Sequence, residues 1–318
     1  MNLFLEKIAS AISVKSWQVD NALELLNDGA SIPFVARYRK ERTGELTDEQ
    51  LIEIDKLNKG FIALDDRRKA IINSLEEREL LTTELQDKLS QADSIAVLED
   101  IYLPYRPKRK TKATIAIDKG LEPLAKMIMS ENVSDTEGAA RKYISSKNEV
   151  NSVEEALQGA RDIIAEWISE KEFVRSMLRR MFHRSANVIS KKDKKADDEN
   201  NKYESYYDWQ ETAHKAPAHR ILAMFRGENE GVLKLKIVPE IDLAYSDLES
   251  KLIRQNNEAA NQKQLALKDS LKRLLFPSLE TEFRKELKNK ADESSIKVFA
   301  ENLKQLLLTP PLGQKNIL

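Results

Sequence analysis

Residues 106–112 read RPKRKTK and carry Arg106, Lys108, Arg109, Lys110 and Lys112 with no acid among them. Tyr102 and Tyr105 stand just before the run, and Pro104 and Pro107 stiffen it. An extended cationic stretch of this kind suits a phosphate backbone, with a ring free to stack on a base. It equally suits a surface loop whose cations pair with acids in a larger assembly. Residues 101–130 hold seven Lys and Arg against two Asp and Glu, so nearby acids do not balance the charge. A second group, RYRKER at 37–42, supplies Arg37, Arg39, Lys40 and Arg42 against Glu41 alone. Here the competing reading is a short amphipathic helix that buries Phe34, Val35 and Tyr38 while its arginines form structural ion pairs. Arg220, beside His219 and Pro217, and Arg226, beside Gly227, make a third group. A histidine near a helix start is more often a capping or packing residue than a reactive one.

Catalysis finds less support in the residue types. The chain has no cysteine, which removes disulfides, thiolate metal sites and thiol nucleophiles. Its histidines are His183, His214 and His219. The last two are five apart, which does not stack them on one helical face as an i, i+4 pair does. No GxxxxGK, GxGxxG or GxSxG pattern occurs. No catalytic residue, metal site or cofactor is expected, and a metal-dependent nuclease is the least favoured of the functional classes.

The elements that position these groups read as helices. The chain has 318 residues, enough for about two domains. Its 52 Lys and Arg nearly balance 53 Asp and Glu, so net charge alone decides nothing about a nucleic-acid partner. Charged residues reach 33% and Gly and Pro number nine each, a composition that favours helix. No apolar run is long enough to span a membrane, and Glu6 and Lys7 interrupt the start too early for a secretion signal. These features indicate a cytoplasmic protein.

Local signals divide the helices. Ser16 caps a segment with Val19, Ala22, Leu23 and Leu26 at helical spacing, and Asp28-Gly29 ends it. A short helix over 33–42 stops at Gly44, giving residues 1–46 the grammar of a helix-turn-helix-like unit. Thr47 and Gln50 form a capping-box signature before a long helix, with return faces near 84–89 and 95–102. Pro104 and Pro107 hold the basic stretch outside any helix. Residues 47–185 read as a helical hairpin or bundle with a basic loop at 104–114. A second capping box opens at Ser152, and 190–202, SKKDKKADDENNK, reads as a charged mobile loop. Residues 214–318 read as a helical scaffold. Within it, the alternation in 231–238 predicts a short strand without an evident partner, and long helices return over 243–275 and 279–308. Trp17, Trp167 and Trp209 are the expected core anchors. The fold class is all-α, mainly helical, with one or few short strands.

Several long stretches resemble the Tex family of bacterial transcription accessory proteins. They are IPFVARYRKERTGEL (32–46), LEDIYLPYRPKRKTKATIAIDKGLEPLA (98–125), GARDIIAEWI (159–168), HKAPAHRILAMFRGENEGVLKLKI (214–237) and IKVFAENLKQLLLTPPLG (296–313). The resemblance is weakest over 186–213, which it implies is a variable loop. It also implies a longer protein. In it, an RNase H-like domain regarded as inactive, helix-hairpin-helix elements and an OB-fold RNA-binding module follow this region. On that basis the chain is an N-terminal fragment, 316–318 marking the start of the RNase H-like domain, and the strand near 231–238 belongs to the family's central core. The implied role is a non-enzymatic scaffold that binds RNA or DNA weakly and organises the remaining domains. The alternative is a protein-interaction scaffold that docks on transcription or translation machinery.

Overall fold

The computed structural model describes residues 2–107, 109–196, 198 and 201–309. The chain forms two compact units, one ending at Arg106 and the other beginning at Pro107. The division falls inside the segment 47–185 that the sequence reads as one helical body. The expectation of a mainly helical chain with few short strands holds.

The first unit contains α1 (Asn2–Ala11), α2 (Ser16–Asn27), α3 (Ile32–Tyr38), α4 (Lys40–Thr43), α5 (Asp48–Glu76), α6 (Thr83–Gln91) and α7 (Ile95–Tyr102). Ile8, Val19, Ala22, Val35, Leu46 and Leu51 form a buried cluster around the start of α5. Leu64, Ile71, Leu75, Leu85, Leu89 and Leu98 form another where α6 and α7 cover its second half. Thr47 caps α5 as its spacing predicts: it accepts the Gln50 N–H at 3.2 Å, and Gln50 Oε1 accepts the Thr47 N–H at 2.9 Å. α2 begins at Ser16 itself, with Lys15 as the capping residue, so Ser16 does not cap it.

The expected helix over 33–42 is broken at Arg39 into α3 and α4. Side chains of α2 take the carbonyls at the end of α4. Gln18 Nε2 donates to Gly44 O at 2.8 Å, and Asn21 Nδ2 donates to Arg42 O at 2.7 Å. Gly44 ends α4 at φ +63°, and a methyl there would lie 2.4 Å from Trp17 Cη2. Trp17 is therefore not a core anchor; it lies 48% exposed against this glycine.

The second unit contains α8 (Lys112–Asp118), α9 (Glu122–Met129), α10 (Thr136–Arg141), α11 (Val153–Ser169) and α12 (Glu172–Ser185). Strands β1 (Asn187–Lys192) and β2 (Asp208–Thr212), then α13 (Ala218–Asn229) and β3 (Leu233–Val238), follow. The remaining helices are α14 (Ile241–Leu252), α15 (Glu258–Asp269) and α16 (Phe276–Leu308). Ala156, Ala160, Ile163, Ile164 and Ile168 make α11 the buried centre of this unit. Ser152 caps α11, accepting the Glu155 N–H at 3.1 Å. The Glu155 carboxylate accepts from Asn151 N–H, not from Ser152, so the reciprocal half of the box is displaced by one residue.

Residues 187–192 and 208–212 are strands, not parts of a loop. The sheet order is β2-β1-β3, antiparallel throughout, and Ile189 pairs with Lys236 on one side and Gln210 on the other. β1 supplies the partner that β3 lacks on sequence reading. Its inward residues are Val188 and Ser190, and Ser190 Oγ donates to Tyr206 O at 2.7 Å. A serine on the buried face hides the alternation. The predicted helix over 243–275 is interrupted at 253–257, whereas α15 and α16 join through a π-helical turn, Ser270–Leu275. Pro277 has no N–H and its ring crowds the carbonyl four residues back, and the wider turn accommodates both. Residues 310–318, which include the expected start of the RNase H-like domain at 316–318, lie outside the described residues.

Gly44→Ala should destabilise the first unit. The left-handed conformation costs a non-glycine residue about 1–2 kcal/mol, and displacement of Trp17 adds to it. Urea denaturation would read the loss as a lowered midpoint at unchanged slope; an unchanged midpoint would refute the role given to Gly44.

Candidate nucleic-acid interface

The basic run passes from the first unit into the second. On the first side, Leu103–Tyr105 forms a single 3-10 turn after α7, and the Tyr105 carbonyl accepts a hydrogen bond from Arg78. The Tyr105 ring is 37% exposed. On the second side Thr111 caps α8, accepting the Thr114 N–H at 3.1 Å, and its hydroxyl donates to Glu166 of α11 at 2.9 Å. Among the described residues of 106–111 none is α-helical, as expected of a stretch with Pro107 in it, but Lys112 is the first residue of α8 and belongs to a helix. The reason is the threonine cap, a stronger start signal than the prolines behind it. Arg106, Arg109, Lys110 and Lys112 are exposed, and their side chains have no hydrogen-bond or ion-pair partner among the described residues. Lys108 lies outside the described residues.

The second group separates by role. Arg42 pairs with Glu24 at 3.0 Å across the α2–α4 contact. Arg37 and Lys40 are exposed, without a side-chain partner among the described residues. Arg39 stands over the Phe34 ring at 5.3 Å, and the Phe34 and Tyr38 rings lie 5.4 Å apart. α3 buries Val35 and Ala36, while Phe34 is 41% and Tyr38 68% exposed. The burial of Phe34 and Tyr38 expected of an amphipathic helix does not occur, because a seven-residue helix turns only one narrow stripe to the core. These rings are site candidates that the sequence reading assigned to packing.

In the third group Arg220 is structural. Its guanidinium pairs with Glu211 at 2.6 Å and covers the Trp209 ring at 5.0 Å, fastening α13 to β2. Arg226 is exposed on α13, with its charge acting on Glu230. His183 lies 3.3 Å from Glu286 and packs edge-on against Phe283. Among the described residues, no three Asp, Glu or His side chains converge as metal ligands. No helix among them is long and apolar enough to cross a membrane.

Sequence reading also missed the buried polar elements that hold the second unit. Lys263 Nζ donates to Glu131 Oε1 at 2.6 Å, with side chains 7% and 3% exposed. The other Glu131 oxygen accepts the N–H groups of Arg254 and Gln255 at 3.0 and 2.7 Å. Burial pushes the Glu131 carboxyl up, but Lys263 and the two backbone donors outweigh it and hold the group below its ordinary range. No short motif announces this pair, since its partners lie 132 residues apart.

The fold and these segments define a Tex-like chain. Residues 131–299 match the Tex central region-like family, and residues 2–76 match the Tex-like protein N-terminal domain. The chain belongs to the Tex family. It is 41% identical to the Bacillus subtilis protein YdcI over 99% of this chain and 44% of that protein. It is 36% identical to the transcriptional accessory protein Tex of Neisseria gonorrhoeae, over 96% of this chain and 41% of the relative. Identity to the S1 RNA-binding domain-containing protein 1 of Homo sapiens is 26%, over 99% of this chain and 33% of that protein. The chain thus spans less than half the length of these relatives.

The Glu131 geometry sets a pH dependence. A carboxyl held below its unfolded value stabilises the fold fully above that value, and the contribution fades as pH falls through the folded one. Glu131→Gln should cost about 3–5 kcal/mol at neutral pH, as expected when one partner of a buried pair is removed. The gap between wild type and variant should shrink below the ordinary carboxyl value of 4.5. Denaturant titrations of both proteins at neutral and acidic pH would check this; a gap that widens in acid contradicts it.

Proposed function

We propose that this chain is a non-enzymatic nucleic-acid-binding scaffold of a cytoplasmic transcription accessory protein. The observation that carries this reading is the run 106–112, where Arg106, Arg109, Lys110 and Lys112 are exposed and none is neutralised by a partner among the described residues. Cations paired within the fold stabilise it; cations left in water beside an exposed tyrosine are available to phosphates. The patch of Arg37, Arg39 and Lys40 around the exposed Phe34 and Tyr38 rings adds stacking surface of the type that single strands use. Arg42 and Arg220 contribute less to the interface in this reading, each already facing a carboxylate of this chain, Glu24 at the surface and Glu211 partly buried. In this reading α2, the turn at Gly29 and α3 form the helix-turn-helix-like unit, with RNA or DNA as ligand. The names of the Tex and S1 RNA-binding relatives lie in the same direction.

A second reading, a protein-docking scaffold, is favoured by the last turns of α16. After Ala291 no residue of α16 with a described side chain is buried, and Ile296, Phe299, Leu306 and Leu307 are each at least two-thirds exposed. Apolar surface of this kind marks protein contacts more often than phosphate contacts. The two readings assign different surfaces and separate by experiment.

The chain should bind oligonucleotides with affinity that falls steeply with salt. If roughly four cations meet phosphates, the loss on duplex DNA is about two orders of magnitude between about 50 and 200 mM salt. Replacing Arg106, Arg109 and Lys110 with Glu should weaken binding to all sequences alike and flatten the slope, because phosphate contacts carry no sequence information. Fluorescence anisotropy titrations would measure both. A folded triple variant with unchanged affinity and slope would remove the run from the nucleic-acid surface.

A further inference from the structure

A polar pocket of about 570 Å³ lies in the second unit, between the turn after α9, the start of α12 and the end of α14. Its inner wall is the Glu131–Lys263 pair. Glu131 is the acid of this lining, and Lys263 and two backbone N–H groups already occupy its carboxylate. It therefore has little charge left to repel an anion. Around it stand Lys171, Lys251 and Arg254, whose side chains have no hydrogen-bond or ion-pair partner among the described residues. Three uncompensated cations about one concavity raise the local concentration of anions. Phe173, at the same rim, is 47% exposed. A large apolar ring left in water beside free cations matches the two halves of a nucleotide, a phosphate and a flat base. The volume falls within the range of about 300–1,000 Å³ usual for small-ligand sites.

We propose that this pocket is a nucleotide subsite. Lys171, Lys251 and Arg254 hold a phosphate, Phe173 stacks on the adjoining base, and the Glu131–Lys263 pair keeps the floor rigid. The proposal deepens the nucleic-acid reading and rests on it for the source of the nucleotide, a residue of a single strand. It does not depend on the run 106–112. Arg254 is doubly placed: its backbone N–H braces Glu131 while its side chain stays free at the rim, so the turn after α14 both builds the floor and supplies a cation.

The test uses the whole chain and a fluorescein-labelled oligouridylate at low salt. Lys251→Glu with Arg254→Glu, both exposed positions, should weaken binding roughly tenfold, and Phe173→Ala by a similar factor from lost stacking. A strand carrying 4-thiouridine should photo-cross-link to the peptide that contains Phe173, and Arg109→Glu with Lys110→Glu should leave that cross-link in place. Thermal melts establish that each variant folds. Should the wild-type chain bind oligouridylate while the folded pocket variants bind equally well and no cross-link maps to Phe173, the subsite is refuted and the nucleic-acid reading stands. Absence of any binding by the wild-type chain to single or double strands refutes that reading itself. Binding of AMP that is lost in the pocket variants, without oligonucleotide binding, retains the phosphate-and-base chemistry and overturns the strand as its source.

Discussion

The second unit is organised around a buried ion pair. Glu131 sits just after α9 with φ +59°, a conformation that a residue with a side chain adopts at a cost. Its backbone carbonyl accepts from Asn257 Nδ2 at 2.8 Å, and its carboxylate binds Lys263 and the N–H groups of 254 and 255. One residue thereby fixes the turn between α14 and α15, the start of α15, and their distance from α9. A buried pair of this kind need not exceed an apolar replacement in stability, but loss of one member strands a charge in a low-dielectric site. That asymmetry makes it a constraint on geometry more than a reserve of stability.

The same logic recurs around α11. Arg161, 8% exposed, donates to Gln262 at 2.6 Å, to Gln158 and to Glu154. Asp162, on the next position, meets Arg273 in the π-helical turn at 3.3 Å. Arg179 of α12 binds Glu282 of α16 at 2.5 Å, and Arg284 links α16 to Glu228 of α13. Beneath these pairs Phe182 meets Phe283 at 5.8 Å and Phe276 at 6.5 Å. Apolar burial brings the helices together, and these partly buried pairs link the faces so joined. The π-helical turn lets α15 run on into α16 where Pro277 would otherwise clash.

The distribution of charge then has a functional reading. In a chain of nearly zero net charge, acids are spent on cations that hold helices together, and the cations left over stand out. Arg42, Arg220, Arg273 and Arg284 are of the first kind. Arg37, Lys40, Arg109, Lys110, Lys171 and Lys251 are of the second. Composition cannot make that distinction, because the partner of a structural arginine is often distant in sequence.

The local signals were legible in the residues themselves. Thr47-x-x-Gln50, Pro33 in the first turn of α3 and Gly44 at a left-handed end each act within one helical turn, where short-range geometry decides the outcome. The helical class and β3 followed from the same short-range chemistry. What the sequence alone left undetermined depends on partners far along the chain. β1 carries Ser190 on its inner face, where its hydroxyl donates a hydrogen bond to Tyr206 O, so no apolar alternation marks the strand. The end of α4 is held from a distance, by Gln18 and Asn21 of α2, which donate to the carbonyls of Gly44 and Arg42. Which cations are free, which aromatic rings face water, and the pocket floored by Glu131 and Lys263 were settled only by tertiary structure. Pairing across more than a hundred residues leaves no local trace in residue type or spacing.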